Sequence, residues 1–177
     1  MKKQISSTQN PQIKELVQLK EKSRNRKKSG KFIIEGLREI QLAIAGGYEL
    51  LQLYCCPNTY NPSKYADLID SLPKTVELIE ISQPVYEKIA HRGGTEGMLA
   101  VAQSRSLELN QLVLSTDKSL ILVAESPEKP GNIGALLRTA DAAGIDAVII
   151  ADPTSDLYNP NVIRSSVGTL FTQQVAV

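Results

Sequence analysis

Residues 120–144 read L-I-L-V-A-E-S-P-E-K-P-G-N-I-G-A-L-L-R-T-A-D-A-A-G, and this stretch decides the fold class. Its first five residues are an unbroken apolar run of strand length, which predicts a strand buried on both faces of a parallel sheet. A polar turn with two prolines follows. Apolar residues then recur at helical spacing and leave Asn132, Arg138 and Asp141 off the apolar stripe. The pattern predicts strand, sharp turn and helix, with polar groups at the carboxyl edge of the sheet, where open α/β sheets bind ligands.

The rest of the chain alternates predicted strands and helices in the same way. The predicted strands before this stretch are residues 31–35, 50–56, 76–81 and 99–103, and the predicted helices begin near Pro11, Leu37, Tyr65 and Pro84. Residues 22–30 predict a flexible basic loop. This rhythm indicates a three-layer α/β domain over residues 1–104, a linker over 105–117 and a second α/β unit over 118–177. The second unit is too small to cover its own sheet, so we expect it to be incomplete.

The charge of the chain is strongly asymmetric. The net charge is only +1, but residues 1–31 carry ten Lys and Arg against two Glu, and the remainder carries ten basic and seventeen acidic residues. A basic end on an acidic body predicts a polyanionic partner. An ordinary solvated helix and loop explains the same charges, and charge alone does not separate the two interpretations.

Membrane, secreted and metal-binding proteins are disfavoured by the sequence. No run approaches the roughly 20 apolar residues of a membrane span, and the first residues lack the hydrophobic segment of a secretion signal. We therefore expect a cytoplasmic protein. The two cysteines, Cys55 and Cys56, are adjacent, which disfavours a disulfide between them and provides no metal-ligand spacing.

The turn G-N-I-G at residues 131–134 follows a strand and opens a helix, so its backbone N–H groups could receive a phosphate. It lacks the third glycine of a dinucleotide site and the lysine of a P-loop, which disfavours a nucleotide-binding enzyme. The glycines could equally permit a tight turn and close helix packing. One turn later, Arg138 could reach back toward Asn132 or pair with Asp141 on the helix surface.

A histidine and a pair of serines are the other candidate catalysts in the sequence. The lone histidine, His91, precedes a glycine-rich loop and stands far from any triad pattern, so a general-base role is disfavoured. Ser165 and Ser166 lack the context of a nucleophile elbow, and we expect them to line a loop or cap a helix.

These segments together resemble the SpoU-type RNA 2′-O-methyltransferases of the SPOUT superfamily. The first motif of that family is N-x-G-x-x-x-R-x-A-x-x-x-G, and the matching residues are Asn132, Gly134, Arg138, Ala140 and Gly144. The segment L-Y-N-P-N-V-I-R-S-S-V-G-T-L-F resembles the one that normally comes next, with Arg164, Ser166 and Gly168 at the matching places. Residues 5–104 resemble the ribosomal-protein-like RNA-binding domain of many members. The resemblance covers nearly the whole chain.

The resemblance implies transfer of a methyl group from S-adenosylmethionine to a ribose 2′-hydroxyl of rRNA or tRNA. Arg138 would lie beside the reacting hydroxyl, and Asn132 would hold Arg138 or the ribose by hydrogen bonding. The other RNA contacts that we predict are Arg24, Arg26, Lys27, Lys28, Arg38, Arg164 and Ser166. The family works as a homodimer with the active site near the subunit interface, so self-association is expected.

The resemblance also implies a C-terminal trefoil knot, in which a glycine- and glutamate-containing segment and a Ser-Leu-Asn segment bind S-adenosylmethionine. Neither segment occurs in these 177 residues. We therefore expect an incomplete SPOUT domain, no assignable cofactor residues and no activity of this chain on its own. The alternative is a non-enzymatic RNA-binding protein with a vestigial methyltransferase domain, which differs by lacking cofactor binding.

Overall fold

The computed structural model describes residues 3–59, 61–91, 97–114 and 118–177. The elements of the first half are β1 (Lys3–Ile5), α1 (Pro11–Glu21), α2 (Ser23–Ser29), β2 (Lys31–Glu35), α3 (Leu37–Ala45), β3 (Leu50–Cys55), α4 (Pro62–Ser71), β4 (Glu77–Ile81), α5 (Gln83–Ile89) and β5 (Met98–Gln103). Those of the second half are β6 (Ile121–Glu125), α6 (Pro130–Ala142), β7 (Ala147–Ala151), α7 (Pro160–Ser165) and β8 (Gln174–Ala176). Over the described residues, none of these helices is long and apolar enough to cross a membrane. The glycine-rich turn at 92–96 and linker residues 115–117 lie outside the described residues.

The first half is built on a five-stranded sheet in the order β1-β4-β3-β5-β2, with β5 antiparallel to both its neighbours. Side chains alternate along each strand, so Ile33 of β2 packs with α1 and α5, while Phe32 and Ile34 pack with α3 and α4. Helices therefore cover both faces of the sheet. This is the predicted three-layer α/β arrangement, to which the structure adds the edge strand β1.

The second half is built on a three-stranded parallel sheet in the order β6-β7-β8. The sequence predicts that residues 120–124 are buried on both faces, and this prediction is wrong. The edge strand β6 has one open face, because its residues alternate between exposed and half-buried. Val123 is 60% exposed, as is Leu120 just before the strand. The central strand β7 is the buried one, with Val148 and Ile150 fully inaccessible.

The two halves share one hydrophobic core. A single cluster of buried side chains runs from the α3 and α4 face of the first sheet to α6, α7 and β7. An aromatic group fills the contact: Phe32 stacks on Tyr158 with ring centroids 4.4 Å apart, and Tyr48 meets Phe171 edge-on at 5.1 Å. Arg105, in the predicted linker, lies 4.6 Å above the Tyr48 ring. Contacts within the core therefore join segments that are far apart in the sequence.

A short helix, α2, stands where the sequence predicts a flexible basic loop. It ends at Gly30, whose φ of +65° suits glycine better than any other residue. The buried side chain of Arg26 anchors it to the body of the protein. Arg and Lys are good helix formers, so a single tertiary anchor is enough to order this basic segment.

Candidate active site and RNA interface

The carboxyl ends of β6 and β7 lead into two adjoining loops. Ser126 and Asp152, the first residues after these strands, both have positive φ, at 46° and 49°. The loops are held together because the Ser126 backbone N–H donates to the Ala151 carbonyl at 2.8 Å and its hydroxyl lies 3.4 Å from an Asp152 carboxylate oxygen. Left-handed backbone at residues other than glycine is strained and is often found at functional sites.

The two motif residues Asn132 and Arg138 both lie on α6 and are both exposed. The Arg138 Nη1 donates to the Ser165 carbonyl of α7 at 3.5 Å. Within the described ranges, Arg138 makes no ion pair with Asp141 and no hydrogen bond with Asn132. The guanidinium is therefore directed along the α6–α7 surface, with most of its donors open to a ligand.

Gly134 is the point at which α6 and α7 come closest. A Cβ atom on Gly134 would lie 2.0 Å from the Ser165 hydroxyl, 2.6 Å from the Ser166 nitrogen and 2.7 Å from the Val162 carbonyl oxygen. A Cβ on Gly131 would meet nothing within 4 Å. Of the two uses considered for the G-N-I-G turn, close helix packing is the one that the structure shows for Gly134.

Two backbone donors at the start of α6 are already engaged. The backbone N–H groups of Asn132 and Ile133 both donate to the Lys129 carbonyl, at 2.9 and 3.3 Å. Because these donors are already used inside the turn, they are not directed at an external phosphate. What the turn presents to solvent is the side chain of Asn132.

Ser166 is corrected from an RNA contact to a structural residue. Its side chain is fully buried, and its hydroxyl donates to the Ile163 carbonyl at 2.8 Å. A hydroxyl that is enclosed and bonded within its own helix cannot reach RNA. Arg164, two residues earlier, is exposed on α7 and keeps its predicted position at the surface.

Arg26 is likewise corrected from an RNA contact to a structural residue. Only 4% of it is exposed, its Nε donates to the Asp156 carboxylate at 3.0 Å, and its Nη1 donates to the Leu19 carbonyl at 2.6 Å. A second guanidinium nitrogen reaches the other Asp156 oxygen, so the pair is bidentate. The neighbouring cations Arg24, Lys27 and Lys28 are exposed and form the basic face of α2.

A cleft of about 440 Å³, the α3–α7 cleft, opens between the two halves of the chain. Its polar lining includes Glu35 at the end of β2, Arg38 at the start of α3, His91 after α5, and Arg164 on α7. Arg38 is exposed and has no ion-pair partner among the residues that the structure describes. The two predicted cations Arg38 and Arg164 are thus brought to one cleft from different halves of the protein.

A chain of hydrogen bonds crosses this cleft. The backbone N–H of His91 donates to Glu35 Oε2 at 2.7 Å, and His91 Nε2 lies 2.8 Å from Asn161 Oδ1. Burial raises the pKa of the Glu35 carboxyl, and the His91 N–H bond opposes the rise. The sequence indicates neither Glu35 nor Asn161, because their partners are 56 and 70 residues away and no local pattern marks them.

Comparison with known proteins agrees with this geometry. A model described as the MRM3-like substrate binding domain matches residues 10–100, and one described as the SpoU rRNA Methylase family matches residues 119–177. The chain belongs to the MRM3-like substrate binding domain family over more than half of its length, and its last 59 residues match the SpoU rRNA Methylase family. The predicted family and α/β fold are thereby confirmed, and Gly134 of the SpoU motif is the residue at which α6 packs against α7.

Individual SpoU relatives match almost the whole chain. The 23S rRNA (guanosine(2553)-2′-O)-methyltransferase of Bacillus subtilis is 28% identical over 169 residues, which are 96% of this chain and 62% of that protein. A crystal structure of an RNA 2′-O ribose methyltransferase has a TM-score of 0.83 and 39% identity, over 98% of this chain and 64% of that one. The SpoU methyltransferase AviRb of Streptomyces viridochromogenes, in complex with AdoMet, has a TM-score of 0.85 and 25% identity, over 95% of this chain and 63% of that one. The chain therefore spans a little under two thirds of these relatives.

The three clefts found among the described residues lie away from Arg138. Besides the α3–α7 cleft, one cleft of about 300 Å³ lies between α2 and residues 153–158, and one of about 410 Å³ lies beside β1. None of the three is lined by Asn132, Arg138 or Ser126. We therefore assign no residue of this chain to the cofactor and derive no step of the reaction through it.

Proposed function

We propose that the protein takes part in the transfer of a methyl group from S-adenosylmethionine to a ribose 2′-hydroxyl of rRNA or tRNA. The observation that carries the proposal is Arg138, which occupies the arginine position of the SpoU motif, is exposed, and has no carboxylate partner in the described part of the chain. A relative that is named a 23S rRNA methyltransferase and one that is solved with AdoMet support the substrate and the methyl donor.

Arg138 acts in this proposal as a fixed cation. The 2′-hydroxyl must lose its proton as it attacks, so negative charge develops on its oxygen. An arginine side chain stays protonated at neutral pH and is a poor base, whereas its guanidinium stabilises an adjacent oxyanion. Asn132, exposed at the start of α6, would hold the ribose or the guanidinium by hydrogen bonding.

The test replaces Arg138 in the natural gene product that carries this sequence. We expect Arg138→Ala to lower methyl transfer to rRNA by about a hundredfold or more, because a positioned charge of this kind contributes on that order to rate. Thr139→Ala, an exposed neighbour on the same helix, is the matched control and keeps wild-type activity. Near-normal transfer by Arg138→Ala would refute the role of Arg138.

The RNA interface in this proposal is the basic face of α2 together with the α3–α7 cleft. Arg24, Lys27 and Lys28 are exposed on α2, and Arg38 and Arg164 are exposed at the cleft. Phosphate contacts of this kind release counterions, so RNA affinity should fall steeply with salt. RNA affinity that barely changes between low and moderate salt would contradict this interface.

The cofactor part of the proposal concerns the 177-residue chain alone. Because none of the three clefts among the described residues is lined by Asn132 or Arg138, we expect this chain by itself not to bind S-adenosylmethionine stoichiometrically. Isothermal titration calorimetry of the 177-residue chain tests this directly. A saturable one-to-one isotherm would refute the expectation.

The proposal also includes the assembly and location of the protein. The resemblance to SpoU enzymes supports a homodimer, and an rRNA substrate supports a place of action in the cytoplasm beside ribosomes. Light scattering of the purified gene product at micromolar concentration measures its mass and so tests the homodimer. A monomer mass over that range would contradict the homodimer.

A further inference from the structure

The α3–α7 cleft has the composition of a nucleotide site. Its volume lies within the range of about 300–1,000 Å³ that is usual for small-molecule sites. Five of its lining side chains are apolar: Ile33, Leu37, Ile89, Pro160 and Ile163. The guanidinium groups of Arg38 and Arg164 come from opposite halves of the protein. Ile33, Ile89 and Ile163 are buried, so the apolar surface open to a base is that of Leu37 and Pro160, beside two cations suited to a phosphate.

Unused hydrogen-bonding atoms line the same cleft or its rim. Glu35 uses Oε2 for the His91 N–H, and its Oε1 has no hydrogen-bond partner in the described ranges. Asn161 uses Oδ1 for His91 Nε2 and has no partner for its side-chain nitrogen there. A carboxylate oxygen and an amide N–H₂ group are an acceptor and a donor, the two functions that a base edge requires.

The start of α3 is not itself the anion site. The Glu39 carboxylate folds back to within 2.6 Å of the place where a Cβ on Gly36 would lie, and so covers the first turn of the helix. Lys20 is also engaged, because its Nζ donates to the Lys88 and Ala90 carbonyls. Among the described residues that line the cleft, the cations free to take a phosphate are Arg38 and Arg164.

We propose that the α3–α7 cleft binds one unpaired nucleotide of the substrate RNA, a neighbour of the nucleotide that is methylated. Arg38 and Arg164 hold its phosphate, and Glu35 and Asn161 face the edge of its base. This inference rests on the proposed function, since it takes RNA as the substrate. It adds a specificity-determining subsite away from the reacting ribose.

The position of the cleft supports a neighbouring nucleotide over the reacting one. Arg138 lies against the Ser165 carbonyl, and the cleft is lined by Pro160, Ile163 and Arg164 of the same helix. A helix is about 10 Å across with its side chains, so α7 separates the two sites by about one helix width. A single extended RNA strand can reach both.

The charge of the cleft disfavours S-adenosylmethionine as its occupant. That molecule carries a sulfonium, an ammonium and a carboxylate, so its net charge is positive and the cations Arg38 and Arg164, unpaired among the described residues, repel it. Of the two carboxylates that line the cleft, Glu35 accepts from the His91 N–H and Glu39 folds back over Gly36. A nucleotide phosphate is attracted by Arg38 and Arg164. The ligand chemistry is therefore that of an anionic nucleotide.

A double-mutant cycle tests the shared phosphate. The probe is a short fluorescein-labelled single-stranded RNA of mixed sequence, and its affinity for the 177-residue chain is measured by fluorescence anisotropy. We expect Arg38→Ala and Arg164→Ala each to weaken binding about tenfold, and the double variant to lose less than the product of the two. Lys74→Ala, an exposed cation in the turn before β4, is the charge-matched control with less than about a twofold effect.

The lone histidine provides a second measurement. Because the chain has one histidine, the imidazole signals of His91 are unique in an NMR spectrum. We expect the same RNA to shift these signals saturably, at the concentration at which anisotropy saturates. We expect Asn161→Ala to alter which base the cleft prefers, but not the salt dependence of RNA affinity.

Failure of this inference is distinguishable from failure of the proposed function. Arg38 and Arg164 variants with effects no larger than that of Lys74→Ala, or His91 signals that RNA does not shift, overturn the subsite. Fully additive losses overturn the shared phosphate. Neither measurement involves methyl transfer, which Arg138→Ala tests separately.

Discussion

Position 134 is the clearest case of a residue whose chemistry follows from its neighbours. A Cβ at this position would lie 2.0 Å from the Ser165 hydroxyl and within 3 Å of two backbone atoms of α7. We expect Gly134→Ala to lower the free energy of unfolding by about 1–3 kcal/mol, because α6 and α7 must move apart. Gly131→Ala, with nothing within 4 Å, is the matched control and should leave stability unchanged or slightly raised. Equal stabilities of the two variants in urea denaturation would contradict the packing role of Gly134.

Arg26 gives a second prediction at the residue scale. It is buried against Asp156 and the Leu19 carbonyl, so Arg26→Ala leaves a carboxylate without its partner. We expect a loss of about 3–5 kcal/mol in the free energy of unfolding. The double variant Arg26→Met with Asp156→Leu should lose much less, because no charge remains unpaired. An Arg26→Ala protein that is as stable as wild type, but binds RNA less well, would restore the original RNA-binding interpretation.

Glu35 gives a prediction about pH. Burial raises the pKa of its carboxyl above the ordinary value of 4.5, so the folded protein holds this proton more tightly than the unfolded chain does. The protonated Glu35 carboxyl contributes fully to the free energy of unfolding below pH 4.5. This contribution is lost as the pH rises through the raised pKa. Glu35→Gln keeps an acceptor for the His91 N–H and should therefore gain stability relative to wild type between pH 4.5 and 7.

The gain for Glu35→Gln should be no more than about 1 kcal/mol, because solvent screens a carboxyl that is only partly buried. Thermal unfolding midpoints of the two proteins between pH 4 and pH 8 measure it. A variant that is clearly less stable than wild type at pH 7 would show that ionised Glu35 is stabilised by a partner, contrary to this account.

At the residue scale, the sequence predicts what depends on local spacing. The motif correctly predicts that Asn132, Gly134 and Arg138 lie on one helix. It cannot reveal that Arg26 is buried, because Asp156 lies 130 residues away. The same holds for the contact between His91 and Asn161, which joins residues 70 positions apart.

At the scale of elements, α2 is the segment that differs most from its prediction. Its run of basic residues lacks an apolar stripe, so periodicity indicates a loop, yet the buried Arg26 and the terminal Gly30 make it a helix. The strand β6 differs for another reason: an apolar run shows that a segment is strand-like but not whether it is central or at an edge. Neighbours along the sheet decide that.

The basic face of α2 gives the prediction at this scale. Arg24, Lys27 and Lys28 are exposed on one helix, so their phosphate contacts should be roughly equivalent. We expect Arg24→Ala with Lys28→Ala to lower the slope of log affinity against log salt by about 2, and the single variants by about 1 each. Lys74→Ala serves as the control. An unchanged slope in the double variant would mean that α2 does not contact RNA.

At the scale of the molecule, the two halves are joined by one core. Alternating strands and helices predict two α/β units, and the structure contains a five-stranded and a three-stranded sheet. Nothing in the pattern shows that Phe32 would stack on Tyr158. We expect cooperative unfolding as a consequence. In hydrogen exchange measured by mass spectrometry, β5 and β7 should lose protection at the same urea concentration. Earlier loss of protection in β7 would show that the second half unfolds independently.

The central claim is that Arg138 promotes methylation of a ribose 2′-hydroxyl. The most direct measurement incubates the natural gene product with rRNA and tritiated S-adenosylmethionine, and then counts the label in alkali-resistant dinucleotides, which arise only where a 2′-hydroxyl is blocked. The account predicts label at a ribose in the wild-type reaction and a loss of about a hundredfold in Arg138→Ala, with RNA affinity changed far less. Label on a base, or equal labelling by the two proteins, would contradict it.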